Sequence, residues 1–276
     1  MVGYRTSGNS ICYSHVPKTG GSNAFQVLKK ASPNVSFNTY GHHHRGCIEN
    51  DYDHRLLLLR HPFVRFRTAF AHLMETLHSN SCQYHWRMCR CCGWRTEKYG
   101  EARFIRAYDI AANCRRSGMW SENCTNSLLS SWNAHNVFAR SVLTKRTLNL
   151  CNHGFPQLYQ DCIKSCEQDL WKYSVIGFTE ELQMFVNDSI AIFNRPKVSA
   201  KKNVPTESAV EGLLKPLENC WMTRSRSSSP RKCWNNRVMR LQQYPVPDSL
   251  VNGFEQQNQL DNLLWALAKS ISSRKR

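Results

Sequence analysis

Apolar and polar positions follow two rhythms along the first 80 residues. Residues 11–16, ICYSHV, make a short and mostly apolar run, the pattern of a strand buried on both faces of a parallel sheet. Residues 22–31, SNAFQVLKKA, then space Phe25, Val27, Leu28 and Ala31 along one face of a helix. VSFNTY, residues 35–40, returns to a strand-like alternation. RLLLLR, residues 55–60, sets four leucines between arginines, again the length of a buried strand. Pro62 opens the next helix, because its fixed φ suits the first helical position. On that helix, residues 62–78, Phe63, Phe66, Phe70, Leu73, Met74 and Leu77 share one face, and Arg65, Thr68 and His72 share the opposite one. A polar face of this kind is ordinarily solvated. The other reading is that it meets a ligand.

Further along, residues 173–178, YSVIGF, predict a strand. The helix after it is expected to start at Thr179, as an N-cap with Glu180 and Glu181 in the first turn. Residues 248–271 predict a closing amphipathic helix or pair of helices. Strands and helices alternate, so the fold class is α/β, a central parallel β-sheet flanked by helices. Residues 79–135 break the pattern. They carry Cys82, Cys89, Cys91, Cys92, Cys114 and Cys124, with Trp86, Trp94, Trp120 and Trp132, and read as a Cys-rich inserted region stapled by disulfides. CRCC offers neither a CxxC pair nor the histidine spacing of a zinc site, and no metal is expected. Residues 195–208 form a basic loop. Residues 222–236, around RSRSSSPRK, predict a flexible basic-serine segment. No internal repeat is found, and residues 1–276 are read as a single domain.

Composition narrows the class. With 276 residues, 41% hydrophobic and 11% aromatic, the chain supports a sizeable core. A net charge of +17 favours polyanionic partners, whether nucleic acid, anionic lipid or acidic glycan. Thirteen cysteines are many for a reducing compartment, and the odd count leaves at least one unpaired if the rest form disulfides. Three glycosylation sequons, at Asn34, Asn123 and Asn187, tilt the same way, toward a secretory lumen. No apolar run reaches the ~18 residues of a spanning helix, and no signal peptide is visible. The expectation is therefore a soluble protein or a chain whose anchor lies upstream.

The chemistry-bearing residues fall after the expected strands. Lys18, Thr19, Gly20, Gly21, Ser22 and Asn23 follow the first, His42, His43 and His44 the second, and Arg60 the third, with Thr68 two turns into the next helix. In open parallel sheets, ligands bind at the carboxyl ends of the strands. Paired glycines between a strand and a helix let backbone N–H groups approach an anion, and the helix N-terminus adds partial positive charge. A plain glycine turn capped by Ser22 is the simpler alternative. The order of residues is not that of a P-loop nucleoside triphosphatase: GxxxxGK[ST] is absent, and the lysine precedes the glycines.

HVPKTGGSN followed by LLRHPFVRFRTAFAH resembles the two cofactor signatures of the carbohydrate sulfotransferases that use 3′-phosphoadenosine-5′-phosphosulfate, PAPS. The similarity is greatest to the Golgi branch containing the heparan 2-O and chondroitin sulfotransferases. It covers residues 11–78, with looser likeness over residues 171–193 and the last 25. The resemblance implies a P-loop-like sulfotransferase fold and a Golgi location. It implies that Lys18, Thr19, Gly20, Gly21, Ser22 and Asn23 hold the 5′-phosphosulfate, and that Arg60 and Thr68 hold the 3′-phosphate. Thr68 stands where the family has serine, and His61 where it has aspartate.

Lys18 is then the candidate for neutralising the leaving phosphate, and His42, in Gly41-His42, the candidate base. His43 and His44 stay open for that role, and a solvated basic loop is the alternative for all three. The acceptor implied is a hydroxyl of an acidic or neutral glycan, which the basic loops at Arg195, Lys197, Lys201 and Lys202 would grip. Two rival classes remain. Another nucleotide-phosphate transferase lacks its lysine-after-glycine loop, and a non-catalytic polyanion or nucleic-acid binder leaves the strand-end pattern unexplained.

Overall fold

The sheet has four strands: β1 (Ile11–His15), β2 (Phe37–Tyr40), β3 (His54–Leu59) and β4 (Val175–Phe178). All pairings are parallel, and the order is β2-β1-β3-β4. The computed structural model describes residues 10–16, 19, 21–33, 35–40, 46–78, 110–111, 113–114, 121–130, 136–153, 159–193 and 242–276. The chain divides into two compact units, residues 1–60, 138–234 and 262–276 in one, and residues 61–137 and 235–261 in the other.

The first unit holds the sheet. Its helices are α1 (Gly21–Ala31), α2 (Gly46–Glu49), α6 (Lys145–His153), α7 (Tyr159–Trp171) and α8 (Leu182–Phe193), with most of α10 (Gln259–Lys275). All four leucines of RLLLLR are buried, which is why this run carries no polar alternation. Alternate strand positions divide between the two faces. Ile11, Tyr13, Leu56, Leu58 and Val175 enter one core with Ala24, Val27 and Leu28 of α1 and Leu182, Phe185, Val186 and Ile190 of α8. Each fully buried aliphatic or aromatic side chain there contributes about 1.5–3 kcal/mol.

Gly177 lies on this same face, paired across from Leu58, and Phe185 fills the space a side chain would take. On the other face, the Phe178 ring meets Trp265 of α10 edge-on at 4.7 Å, and Ser272 donates to the Ile176 carbonyl at 2.8 Å. Helices therefore cover both faces, as the α/β reading expects. Strand β4 is shorter than expected, beginning at Val175 after a buried Tyr173.

A disulfide joins Cys12 of β1 to Cys47 of α2 across a separation of 35 residues. Closing a loop of that length in the unfolded chain is worth about 4 kcal/mol in the chain-entropy account. Arg55 of β3 donates from Nε to the Cys47 carbonyl at 2.8 Å and from Nη2 to the Asn50 carbonyl at 2.9 Å. The short α2 is thus held to the sheet by a covalent bond and a guanidinium.

The second unit is helical among its described residues. It contains α3 (Pro62–His78), α4 (Glu122–Leu129) and α9 (Asp248–Gln257). The short α5 (Val137–Val142) straddles the boundary. The helix predicted over residues 62–78 has those limits. Its Phe66, Phe70 and Met74 pack with Leu128 and Leu129 of α4 and Leu250 and Phe254 of α9, the rings of Phe66 and Phe254 stacked at 4.6 Å. The other side of α3 is not solvated at the two residues described there. Arg65 is 0% exposed and Thr68 2%.

Within the expected Cys-rich insertion, Cys114 is bonded to Cys124 of α4. Residues 79–109, 112, 115–120 and 131–135 of that region, and residues 222–236, lie outside the described residues. The closing segment is a pair of helices, α9 and α10, broken at Asn258.

Candidate functional site

Strand order decides where a ligand could sit. The chain runs from β1 to β2 on one side and then to β3 on the other side of β1. The order reverses between β1 and β3, and their carboxyl ends are the position where α/β sheets of this kind bind ligands. Both segments singled out in the sequence begin there: residues 17–23 follow β1, and Arg60 follows β3.

After β1, Thr19 is fully buried, and its hydroxyl donates to the Val16 carbonyl at 2.8 Å, tightening the turn. Helix α1 starts at Gly21 and runs 11 residues. Gly21, Ser22 and Asn23 form its first turn, where backbone N–H groups have no partner within the helix and the dipole is positive. Arg60, the residue after β3, is 5% exposed, so its charge sits largely out of water. Within the same unit, Tyr13 of β1 stacks on Phe25 of α1 at 6.0 Å. Burial holds its phenol well above the ordinary range, so it stays protonated at any neutral pH.

Thr179 corrects one expectation. The sequence predicts it as a helix N-cap. The chain instead enters a single 3₁₀ turn, Thr179–Glu181, whose N-cap is Phe178 and makes no side-chain capping bond. The Thr179 hydroxyl stands 2.7 Å from the Thr19 carbonyl oxygen and 2.9 Å from the Leu59 carbonyl oxygen. Its hydrogen is committed to one loop carbonyl and one strand-end carbonyl and not to the helix. A threonine ahead of two acids reads identically in either case, which is why the sequence signal misleads.

The second strand ends at Tyr40, paired with Ser14 of β1. Five residues, 41–45, then lead to α2, which the Cys12–Cys47 bond and Arg55 hold in place. Lys18, Gly20, His42, His43 and His44 lie outside the described residues. The structure therefore brings together Thr19, the first turn of α1 and the carboxyl end of β3 with Arg60. Thr68 belongs to the other unit, in the second turn of α3, and its hydroxyl donates to the Val64 carbonyl at 3.0 Å. To serve a phosphate as a donor it must leave that carbonyl.

Among the described residues, the sulfurs of Cys151, Cys162 and Cys166 lie within 4.8 Å of one another and are all buried. Cys151 and Cys162 are joined as a disulfide, which removes both as thiolate ligands for a metal. No described helix is long and apolar enough to cross a membrane. The disulfides are compatible with a lumenal or secreted protein. No family model matches the chain, and neither a curated protein nor a solved structure matches it.

Proposed function

We propose that this protein is a PAPS-dependent sulfotransferase that moves a sulfuryl group to a carbohydrate hydroxyl. One observation carries the reading. The two segments that resemble the PAPS signatures start at the carboxyl ends of adjacent parallel strands, β1 and β3, at the point where strand order reverses. A glycine pair leading into a helix N-terminus on one strand and a buried guanidinium on its neighbour suit a nucleotide with phosphate at both ends.

In this reading, the backbone from Thr19 to Asn23 surrounds the 5′-phosphosulfate, and Lys18 neutralises charge that builds on the leaving phosphate. Arg60 pairs with the 3′-phosphate, a task for which its planar fork is suited, and Thr68 supplies a hydroxyl. PAPS supplies the sulfuryl group when bound. His42 takes the acceptor's proton, with His43 and His44 as neighbours able to substitute. Such chemistry rests mainly on positioning and electrostatics, as in phosphoryl transfer. The basic character of the chain, +17, favours an acidic glycan as acceptor, and the Golgi lumen is the proposed location.

The test has two arms. Titration calorimetry with adenosine 3′,5′-bisphosphate should show binding to the wild type and its loss in Lys18→Ala and Arg60→Ala. Radiolabelled PAPS offered with a panel of desulfated glycosaminoglycans and simple galactosides should label at least one of them, and His42→Ala should abolish the label. Nucleotide binding unaffected by both substitutions would remove the reading.

A further inference from the structure

We infer that Thr179 is a positioning residue that sets the spacing of the two nucleotide-holding segments, an inference that rests on the function proposed above. Its hydroxyl reaches one carbonyl in each of them. The Thr19 carbonyl, at 2.7 Å, belongs to the loop between β1 and α1, and the Leu59 carbonyl, at 2.9 Å, precedes Arg60. Thr19 and Leu59 are 40 residues apart in sequence, and Thr179 is 120 residues beyond Leu59.

The Thr19 side chain already donates to Val16, so it holds its own turn without fixing that turn against β3. The ladder between β1 and β3 ends at His15↔Leu58, and the Thr179 hydroxyl ties the loop beyond it to the last residue of β3 from a point that is itself anchored. It follows directly on β4, which pairs with β3 through Leu59↔Phe178. Two residues later, Glu181 is gripped by Lys269 at 3.1 Å and by Arg276 at 3.5 Å, both beyond residue 262. The tie therefore pulls from a fixed point. Misplacement of a phosphate-holding group by about 1 Å costs on the order of a hundredfold in rate, so a hydroxyl with this reach controls more than its own hydrogen bonds.

The inference is tested with Thr179→Val, which keeps the shape and removes the hydroxyl, with Thr179→Ala as a second variant, and with Thr179→Ser, which restores the donor. Binding of adenosine 3′,5′-bisphosphate is followed by calorimetry well below each variant's melting midpoint, and KM for PAPS and kcat are measured separately. The valine and alanine variants should bind the nucleotide about tenfold more weakly and lose at least as much in kcat. The serine variant should bind within about threefold of wild type. A merely structural threonine would lower the melting midpoint and leave the affinity of the folded protein unchanged. Valine and alanine variants with wild-type affinity, or a serine variant as weak as valine, would overturn the role of Thr179 while the sulfotransferase reading stood. A wild type that does not bind the nucleotide would overturn both.

Discussion

The thiol sulfur of Cys166 lies 3.7 Å from that of Cys151, which is bonded to Cys162. Cys162 and Cys166 sit one turn apart on α7, so both face Cys151 on α6. Cys151 thus has two partners within reach, and exchange would simply trade one bond for the other. Cys166 attacks Cys151, the Cys151–Cys162 bond breaks, and Cys162 leaves as the thiol. No oxidant is consumed. The thiolate is the attacking form, and burial, with the charge of Asp169 behind it, pushes the Cys166 thiol up to about 12. At pH 7 only about one molecule in 10⁵ carries the thiolate. Disulfide mapping after trapping with N-ethylmaleimide should find Cys151–Cys162 at neutral pH. The Cys151–Cys166 form should appear about ten times faster for each unit the pH is raised. Cys162→Ser should pair Cys151 with Cys166 outright. Ready labelling of Cys166 in the folded protein at pH 7 would contradict this.

Gly177 shows how tightly β4 meets α8. A Cβ built on it would stand 2.4 Å from Cβ of Phe185, an atom fixed to the helix backbone, with the ring carbon Cδ2 equally near. Neither can swing away as the tip of a flexible side chain would. Gly177→Ala should therefore destabilise the protein by about 3 kcal/mol, the upper end for overpacking a core. Denaturant titration measures it. Adding Phe185→Leu should recover little of the loss, since leucine keeps the Cβ that the new methyl meets; Phe185→Gly, which removes that Cβ, should make the cost of Gly177→Ala smaller than in the wild-type background.

The parallel sheet, β1, β3 and α3 were legible because their burial uses the residues that periodicity counts: leucines in β3, phenylalanines on α3, and a proline at its first position. Helices α5, α6 and α7 were not. Helix α6 buries Thr147, Leu148 and Cys151, and α7 buries Cys162, Cys166, Asp169 and Leu170, so much of each inner face is polar or sulfur. An apolar stripe is hidden when a disulfide and a carboxylate do its packing. The strand-end residues Thr19 and Arg60 were visible as local patterns. Their convergence at strand ends was expected, but the strand order that makes β1 and β3 neighbours was not, and neither was the reach of Thr179, which spans 160 residues to Thr19.

Asp169 carries one of those hidden faces. Buried at 3% exposure, it accepts from the Thr144 backbone N–H at 2.8 Å and from the Thr144 hydroxyl at 2.9 Å on one oxygen, and from Lys172 at 2.7 Å on the other. Thr144 in turn caps α6, its hydroxyl oxygen accepting from the Thr147 N–H at 3.3 Å. The carboxylate so couples the end of α7 to the start of α6. Asp169→Ala leaves the Thr144 N–H without this acceptor and loosens the cap. The expected cost is about 1–2 kcal/mol, an unsatisfied part-buried donor plus part of a cap. Asp169→Asn, which keeps an acceptor oxygen, should cost about half as much by the same denaturant titration. Equal losses in the two variants would show that shape and not the acceptor matters.

Glu181 gives the fold a pH-dependent clasp. Its hydrogen bond to Lys269, and the further attraction of Lys269 and Arg276, hold its carboxyl below the ordinary value of 4.5. A folded-state pKa lower than the unfolded one means that the unfolded chain binds the proton more readily. The stability it adds is complete above the unfolded pKa and is lost as the pH falls through the folded one. These groups are partly exposed, so the contribution is no more than about 1 kcal/mol and should shrink with added salt. Glu181→Gln should melt below wild type at pH 7 and 50 mM salt, with the gap closing between pH 5 and pH 3 and narrowing at 1 M salt. Lys269→Met should show a deficit that narrows over the same pH range without closing, because it removes the other half of the main pair. It should also lose the contact of its ammonium with the Phe178 ring, which lies 4.0 Å away and owes nothing to the carboxylate. The lysine variant is therefore expected to remain less stable than wild type at pH 3, where the glutamine variant no longer differs. A glutamine variant whose deficit stayed constant from pH 7 to pH 3 would mean that the carboxylate's charge contributes nothing to the clasp.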